Sequence, residues 1–353
     1  MKKVIVLFSF LLSTGCFAQT EVSQYIPGIT TDGITYFLPK TLIEVEVNAL
    51  NTIYTPGEFC KYAERYLRLT GISDQPENYW EISNIKVNPV GIPDPDNVYS
   101  VKLKDKTSAP LLELTDDGII RSINVTSTRK TIPATPLTPA VTKKKLNPRD
   151  FMTEEILMAS STAKMAELVA KEIYNIRESK NAILRGQADN MPKDGESLKL
   201  MLSQLDEQEQ AMMEMFTGST EKVNKTFTLK LVPNKNLEKE VLFRFSKYLG
   251  IVANNDLAGV PVYVNLTDMG VIPAPDEKAK KEKKKPEGVL YNVPGKALIK
   301  IYDNRKTFYE GDVPVTQFGT TEVLSNNLFN KKLNTKITFN PVTGGLVKLD
   351  GEE

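Results

Sequence analysis

The 353-residue chain contains no histidine, two cysteines and one tryptophan. Without histidine there is no imidazole to activate a serine or cysteine nucleophile, and no His-containing metal site. Two cysteines, Cys16 and Cys60, are too few for a four-thiolate zinc site. A surplus of charge is also missing: 45 Lys+Arg stand against 44 Asp+Glu, a net charge of +1. That balance offers no electrostatic footprint for nucleic acid. Aromatic residues make up 8 %, which argues against a carbohydrate-stacking platform, although thirteen tyrosines leave material for one. No glycine-rich phosphate loop of either common kind is present. The sequence therefore assigns no catalytic residue, no cofactor and no metal ligand.

What is present begins with an export signal over residues 1–18. Lys2 and Lys3 precede an apolar run from Val4 to Leu12, and Cys16-Phe17-Ala18 forms a small-x-small cleavage site before Gln19. The run is too short to span a membrane. Ser13-Thr14-Gly15-Cys16 also resembles a lipobox with its leucine displaced to Leu12, so Cys16 is a candidate lipidation site. One processing route releases a diffusible protein; the other tethers it to the membrane through Cys16. If the leader is removed after Ala18, Cys60 has no intramolecular partner and no disulfide staples the chain.

The middle of the chain, 151–219, reads as two long amphipathic helices folded back on each other. Thr153 caps the first, with Glu154 and Glu155 at the positive end of its dipole. Ile156, Ala159, Ala163, Ala166, Val169, Ile173, Ile176 and Ile183 then trace one face. Gly186 ends it, and a loop through Asn190, Pro192 and Gly195 reverses the chain. The second helix carries Leu198, Met201, Leu202, Leu205, Met212, Met215 and Phe216 and stops at Gly218. The first is expected to be roughly 45–50 Å long and the second roughly 35 Å. Each has one greasy stripe, so each needs a partner, and the short connection makes them antiparallel neighbours. Methionine adapts its shape, so Met212 and Met213 are candidate partner contacts, set against the simpler reading that they fill the core.

Strand patterns flank the helices. In the N-terminal β module, 19–127, Ile34–Leu38 and Leu42–Val47 read as two strands joined by Pro39-Lys40-Thr41. Thr55-Pro56-Gly57-Glu58 has the form of a capping box for an inserted helix that turns Phe59, Ala63, Tyr66 and Leu67 inward and ends near Gly71. Further strands are expected at Trp80–Val87 and Val98–Leu103, with a hairpin turning at Asp116-Asp117-Gly118. Residues 128–150 form a linker rich in Thr, Pro and Lys. After the helices, a central β segment over 220–272 alternates Phe227, Leu229 and Leu231, then Val241, Phe243 and Phe245, then Val260, Val262, Val264 and Leu266. A charged linker, 273–288, leads to the C-terminal β module, 289–353.

That last module echoes the first. Gly288-Val289-Leu290-Tyr291-Asn292-Val293-Pro294 matches Gly33-Ile34-Thr35-Tyr36-Phe37-Leu38-Pro39, and Gly345-Leu346-Val347-Lys348 matches Gly118-Ile119-Ile120-Arg121. A duplicated module is expected, with the helix from 55 to 71 inserted in the first copy; unrelated strand order in the two segments would reject it.

Several short patterns invite chemistry and are outweighed by simpler readings. Ser161-Thr162-Ala163-Lys164 fits an S-x-x-K motif and Ser122-Ile123-Asn124 an S-x-N element, but the K-T-G partner is absent. Asp94-Pro95-Asp96-Asn97 opens like a calcium loop without its glycine and final glutamate, so it reads as a turn. Glu44 and Glu46 share a strand face roughly 6–7 Å apart, near the separation glycosidases use, on a face the alternation assigns to solvent. Arg244, between Phe243 and Phe245, is a candidate contact for a ligand carboxylate or phosphate. Cys60 beside an apolar stripe reads as a structural thiol.

Taken together, Tyr36-Phe37-Leu38-Pro39-Lys40-Thr41, Pro56-Gly57-Glu58-Phe59 with Tyr62-Ala63-Glu64-Arg65-Tyr66-Leu67, Ile176-Arg177-Glu178 through Pro192-Lys193-Asp194-Gly195, and Phe216-Thr217-Gly218 resemble an uncharacterised domain-of-unknown-function family of exported Bacteroidetes proteins. The resemblance implies a Gram-negative envelope setting and brings no activity, cofactor or site residue. The expectation is an α+β protein: mainly antiparallel β modules at both ends with a long antiparallel helical hairpin between them. Its expected role is non-enzymatic binding, scaffolding or assembly, exported to the periplasm or outer membrane, with another envelope protein or polymer as partner. No nucleic-acid partner is expected, and membrane contact only through an anchor at Cys16. Two alternatives stand beside it: a carboxylate-based hydrolase acting on glycan or peptidoglycan, and a periplasmic small-ligand carrier with an enclosed apolar cavity.

Overall fold

The computed structural model describes residues 21–25, 33–102, 112–125, 146–188, 194–272, 288–325, 328 and 334–352. The leader with Cys16, the linker from 126 to 145 and the charged linker from 273 to 287 lie outside them. The described chain is α+β: antiparallel sheets with a helical hairpin in the middle of the sequence.

Two very long strand pairs organise it. β2 (Ile34–Thr55) runs antiparallel to β3 (Glu77–Lys102), and β10 (Gly288–Tyr302) to β11 (Thr307–Ser325). The two strands expected at Ile34–Leu38 and Leu42–Val47 are one: Pro39 sits at a register shift and stays opposite Pro93, so the chain kinks without leaving the sheet. The turn expected at Asp94-Pro95-Asp96-Asn97 is likewise an excursion within β3, where the Asp94 carboxylate accepts from Asp96 N–H and the Asn97 amide.

β2 and β3 are flanked by β1 (Glu21–Gln24) and β6 (Ser219–Leu231) in the order β1-β3-β2-β6. β7 (Leu237–Ser246), β8 (Gly250–Val252) and β9 (Val260–Asp268) extend the second pair in the order β11-β10-β9-β7-β8. A third sheet, β13-β12-β5-β4, unites β4 (Leu112–Leu114) and β5 (Ile120–Ile123) with β12 (Asn334–Phe339) and β13 (Leu346–Glu352). The segment between the hairpin and the charged linker is thus shared out, β6 to the first sheet and β7–β9 to the second.

Alternation decides what each sheet buries. Ile43, Val45 and Val47 on β2 face Val262, Val264 and Leu266 on β9 and Ile299 and Ile301 on β10, all at most 2 % exposed, and form the core of a sandwich. A second core gathers Tyr36, Leu38, Ile120, Ile123, Val289, Ile337 and Phe339 where the third sheet closes over the starts of both pairs. Here Tyr36 hydroxyl donates to Leu290 C=O (3.2 Å) and accepts from Leu290 N–H (3.0 Å), joining the two long pairs. Burial keeps that phenol protonated above its usual range. At the kink, Thr41 N–H donates to Thr316 Oγ1 and Gln317 Oε1, and the Gln317 amide returns a bond to Thr41 C=O (2.8 Å). A side chain thereby satisfies backbone that β6, which starts pairing only at Ile43, leaves open.

The sequence echo has a counterpart in space. β2 lies between β3 and β6 as β10 lies between β11 and β9, and both carry their register shift beside the matched Pro39 and Pro294. Phe37 N–H donates to Gly118 C=O (2.9 Å), and Asn292, its match, donates to Gly344 C=O (3.1 Å). Gly118 and Gly344 both hold left-handed φ values, 80° and 70°. The flanking strands differ in chain order, since β6 follows β2 and β3 while β9 precedes β10, and in the third sheet β5 lies inside where its sequence match β13 is an edge, so strand order does not establish a duplication. The first pair carries helices between its long strands, where the second turns tightly with Asp303 N–H bonded to Lys306 C=O.

Candidate functional site

The first helix is shorter than expected, while the second has the expected length and ends at Gly218. Thr153 heads only α2 (Glu154–Leu157); the chain breaks, and Ser161 caps α3 (Thr162–Leu184) by accepting from Lys164 N–H at 3.2 Å. The intervening Ser160-Ser161 pair competes with the helix for its own backbone, so a local cap wins over a continuous apolar stripe. Ser161 and Lys164 of the S-x-x-K pattern are thereby a cap and a surface charge paired with Glu167. α4 (Gly195–Thr217) starts on Asp194, whose carboxylate accepts from Ser197 N–H at 2.7 Å and is held below its usual pKa first by that bond. The capping box at Thr55 is not formed either. β2 continues through Thr55, a 3-10 turn covers Cys60–Tyr62, and α1 (Ala63–Leu67) stops at Arg68, whose φ of 58° ends the helix three residues before Gly71. The end of the expected linker, Pro148–Asp150, and Phe151, the first residue expected in the hairpin, form a 3-10 turn capped by Asn147.

The base of the hairpin is a closed core. Phe59, Ala63 and Leu67 pack with Ala166, Val169, Ala170, Ile173 and Ile176 of α3 and Met212, Met215 and Phe216 of α4. The Phe59 and Phe216 rings lie 5.5 Å apart. Met212, taken from the sequence as a partner contact, is 1 % exposed and belongs to this core. Met213 is half-buried, and its sulfur accepts from the Arg177 guanidinium (3.7 Å).

Midway along, charge takes over from packing. Arg177 Nε meets Glu209 Oε1 at 2.6 Å, and Lys180 Nζ bridges Asp206 (2.5 Å) and Glu209 (2.6 Å) across the two helices. Hydrogen bonds to Asp206 and then Glu209 raise the Lys180 pKa. Burial alone would raise that of Glu209, but the bonds from Lys180 and Arg177 outweigh it and hold the carboxyl low.

Beyond this clamp the apolar pattern continues with thinner cover: Ile183 is still buried, and Leu198, Leu202 and Leu205 are half-buried. Leu184 is 70 % exposed, Leu200 63 % and Met201 37 %. Gly195, Leu198, Lys199, Leu202, Ser203 and Asp206 line an open groove of about 400 Å³ along α4. This face is an amphipathic surface held by capped, cross-braced helices.

The other candidate residues are placed elsewhere. Arg244 donates to Asn254 C=O (2.7 Å) and Gly259 C=O (3.0 Å), pinning the loop that crosses β7, so its guanidinium is engaged by backbone and not offered to a ligand. Ser122 is buried and donates to Glu113 and to Val125 C=O. Glu44 pairs with Lys230 at 3.6 Å on the outer face of β2. Cys60 is a free thiol at the hairpin base. Among the described residues no group of three or more Cys, Asp or Glu could hold a metal ion, and no helix is long and apolar enough to cross a membrane. Sequence reasoning missed the Arg177–Lys180–Asp206–Glu209 clamp, although three-residue spacings on facing helices signal it. It also missed a cluster near the helix-bearing end of the first strand pair, where Lys225 stands over Trp80 and Lys247 over Tyr79 and Tyr248.

These elements, from the start of β2 to the start of β13, fall within one stretch matched by a family profile, residues 32–347. The chain belongs to DUF4831. That family is described as a domain of unknown function, and its match spans both long strand pairs and the hairpin. No curated protein and no solved structure matches the chain. Membership in DUF4831 therefore brings no substrate, partner or reaction.

Proposed function

We propose that this protein is an exported cell-envelope component with a non-enzymatic binding or assembly role, and that the outer half of its hairpin is the surface it presents to another envelope protein. The export reading rests on the leader sequence, with Lys2, Lys3, the apolar run and Ala18 in order. The observation that carries the binding reading is the contrast along α4: an apolar stripe that is core at Ala211, Met212, Met215 and Phe216 is only half-buried at Leu205, Leu202 and Leu198 and exposed at Met201, with Leu200 exposed beside it. Isolated exposed leucines need no explanation; a stripe on a braced, capped helix pair costs solubility and is the shape of a helix-face docking surface. The tip sequence has no histidine and no cysteine, and the reading is of holding and not of turnover.

The test is photo-crosslinking in intact cells from a probe at Leu200, with a control probe at exposed Glu155 near the hairpin base. A reproducible protein adduct from Leu200 alone, lost when Leu184 and Met201 are changed to Glu, is expected. Recovery of uncrosslinked monomer only, or equal adducts from both probes, would sink the proposal.

A further inference from the structure

Among the described residues each of the three sheets is open, leaving six edge strands: β1 and β6, β11 and β8, β13 and β4. Exposed edges invite pairing with another chain, and proteins blunt them by shortness, proline, glycine or bulges. Five of the six follow that rule. β1, β4 and β8 have four, three and three residues. β11 carries Gly311, Pro314 and Gly319 with register shifts against β10, and β13 has seven residues with a shift against β12. β6 does not. It has 13 residues, no proline and no glycine, and its register with β2 is unbroken from Ser219 to Leu231.

The remaining defence is its lysines, Lys222, Lys225 and Lys230, and whether they repel depends on register. When two copies of one strand pair antiparallel about a two-fold axis normal to the sheet, side chains keep to matching faces only if one residue lies opposite itself. Centring on Lys222 or Lys225 sets like charges face to face, and centring on Thr226 opposes Lys222 to Lys230. Centring on Asn224 makes no charge pair. Centring on Val223 opposes Glu221 to Lys225 in both halves, Thr220 to Thr226, and Val223, 36 % exposed, to its own copy.

We infer that β6 is the contact edge of a symmetric dimer of this chain, its Val223-centred register joining two four-stranded sheets into one continuous sheet. Glu221 and Lys225 set that register, and Val223 covers its copy on the axis. This association is independent of whatever the hairpin tip holds.

The full chain, with Cys16 and Cys60 changed to Ser, is examined by analytical ultracentrifugation over a roughly hundredfold concentration range. A dimer is expected. Glu221→Lys and Lys225→Glu should each weaken it at least about tenfold, Lys225→Glu with a small further loss of stability because its ammonium also stands over Trp80, and the double reversal should restore the dimer. Val223→Cys should form a covalent dimer on mild oxidation, because directly opposed residues lie about 4.5–5.5 Å apart at Cα, within disulfide reach. Asn224→Cys, opposite Lys222, should not. Monomer at every concentration, a dimer indifferent to both single reversals, or crosslinking at Asn224→Cys in preference to Val223→Cys would overturn the inference.

Discussion

The base and the tip of the helical hairpin are built from the same two helices with the same kind of amphipathic pattern, and their fates are opposite. At the base, Val169, Ile173 and Phe216 are fully buried because the α1 insert of the first β pair supplies a third surface. At the tip no third surface is described, and Leu184 and Leu200 stand in solvent. Between them lies the ion clamp, which holds the helices together where packing between two stripes alone is thin. The difference teaches that an apolar stripe in a sequence specifies a need for cover, and that only the tertiary structure says whether the chain meets that need itself.

Breaking the base should have the largest effect. Phe216→Ala is expected to lose about 3–5 kcal/mol, through lost burial and the cavity left beside Phe59, and Ile173→Pro at least about 3 kcal/mol by breaking α3. Both are read from urea unfolding, with a matching fall in helical ellipticity. If Ile173→Pro leaves both unchanged, the helices are not the scaffold described.

The clamp should show an intermediate effect with a pH signature. Glu209→Gln is expected to cost about 1–2 kcal/mol at neutral pH, since Lys180 keeps Asp206 while Arg177 loses its carboxylate. Glu209 has a folded pKa below its unfolded value. Its contribution is therefore present above the unfolded carboxylate pKa and disappears as pH falls through the folded one. Lys180 has the opposite sign: its contribution is present below the unfolded lysine pKa and is lost as pH rises through the raised folded value. Thermal melts of wild type and Glu209→Gln should thus converge in acid. Parallel curves down to the most acidic pH would remove the clamp from the account.

The tip should be nearly silent in stability. Leu200→Glu is expected to shift unfolding by no more than about 0.5 kcal/mol, because the side chain is mostly in water already. A loss above about 2 kcal/mol would mean that the tip is covered after all and that the comparison with the base fails.

Much of this architecture was legible from residue order. The alternation of Val241, Phe243 and Phe245 and of Val262, Val264 and Leu266 is that of β7 and β9, and Asp116-Asp117-Gly118 does turn between β4 and β5. The echo between Gly33–Pro39 and Gly288–Pro294 falls at the starts of the two long strand pairs, β2 and β10. Pro39 misled where it was read as joining two strands, because it lies inside β2 at a register shift that absorbs it. Caps misled at Thr55 and Thr153, where local hydrogen-bond chemistry yields to the continuing β2 in one case and to Ser161 in the other. Candidate site residues were the least legible. Arg244 is claimed by carbonyls of a loop ten and fifteen residues onward, and Met212 by a core to which α1 adds Ala63 and Leu67, contacts that no local pattern encodes.

The placement of β1 has a mechanical corollary. It is stitched to Tyr99–Lys102, the end of the first strand pair remote from Thr55 and Glu77, where the helices are rooted. Twenty-two residues of β2 amount to a contour of roughly 70 Å of strand between those two points, paired with β3 throughout and with β6 from Ile43 onward. Anything fastened at the Glu21 end would thus be held off from the helices by a stiff strut in place of a floppy leash, fixing how far into its surroundings the molecule can reach.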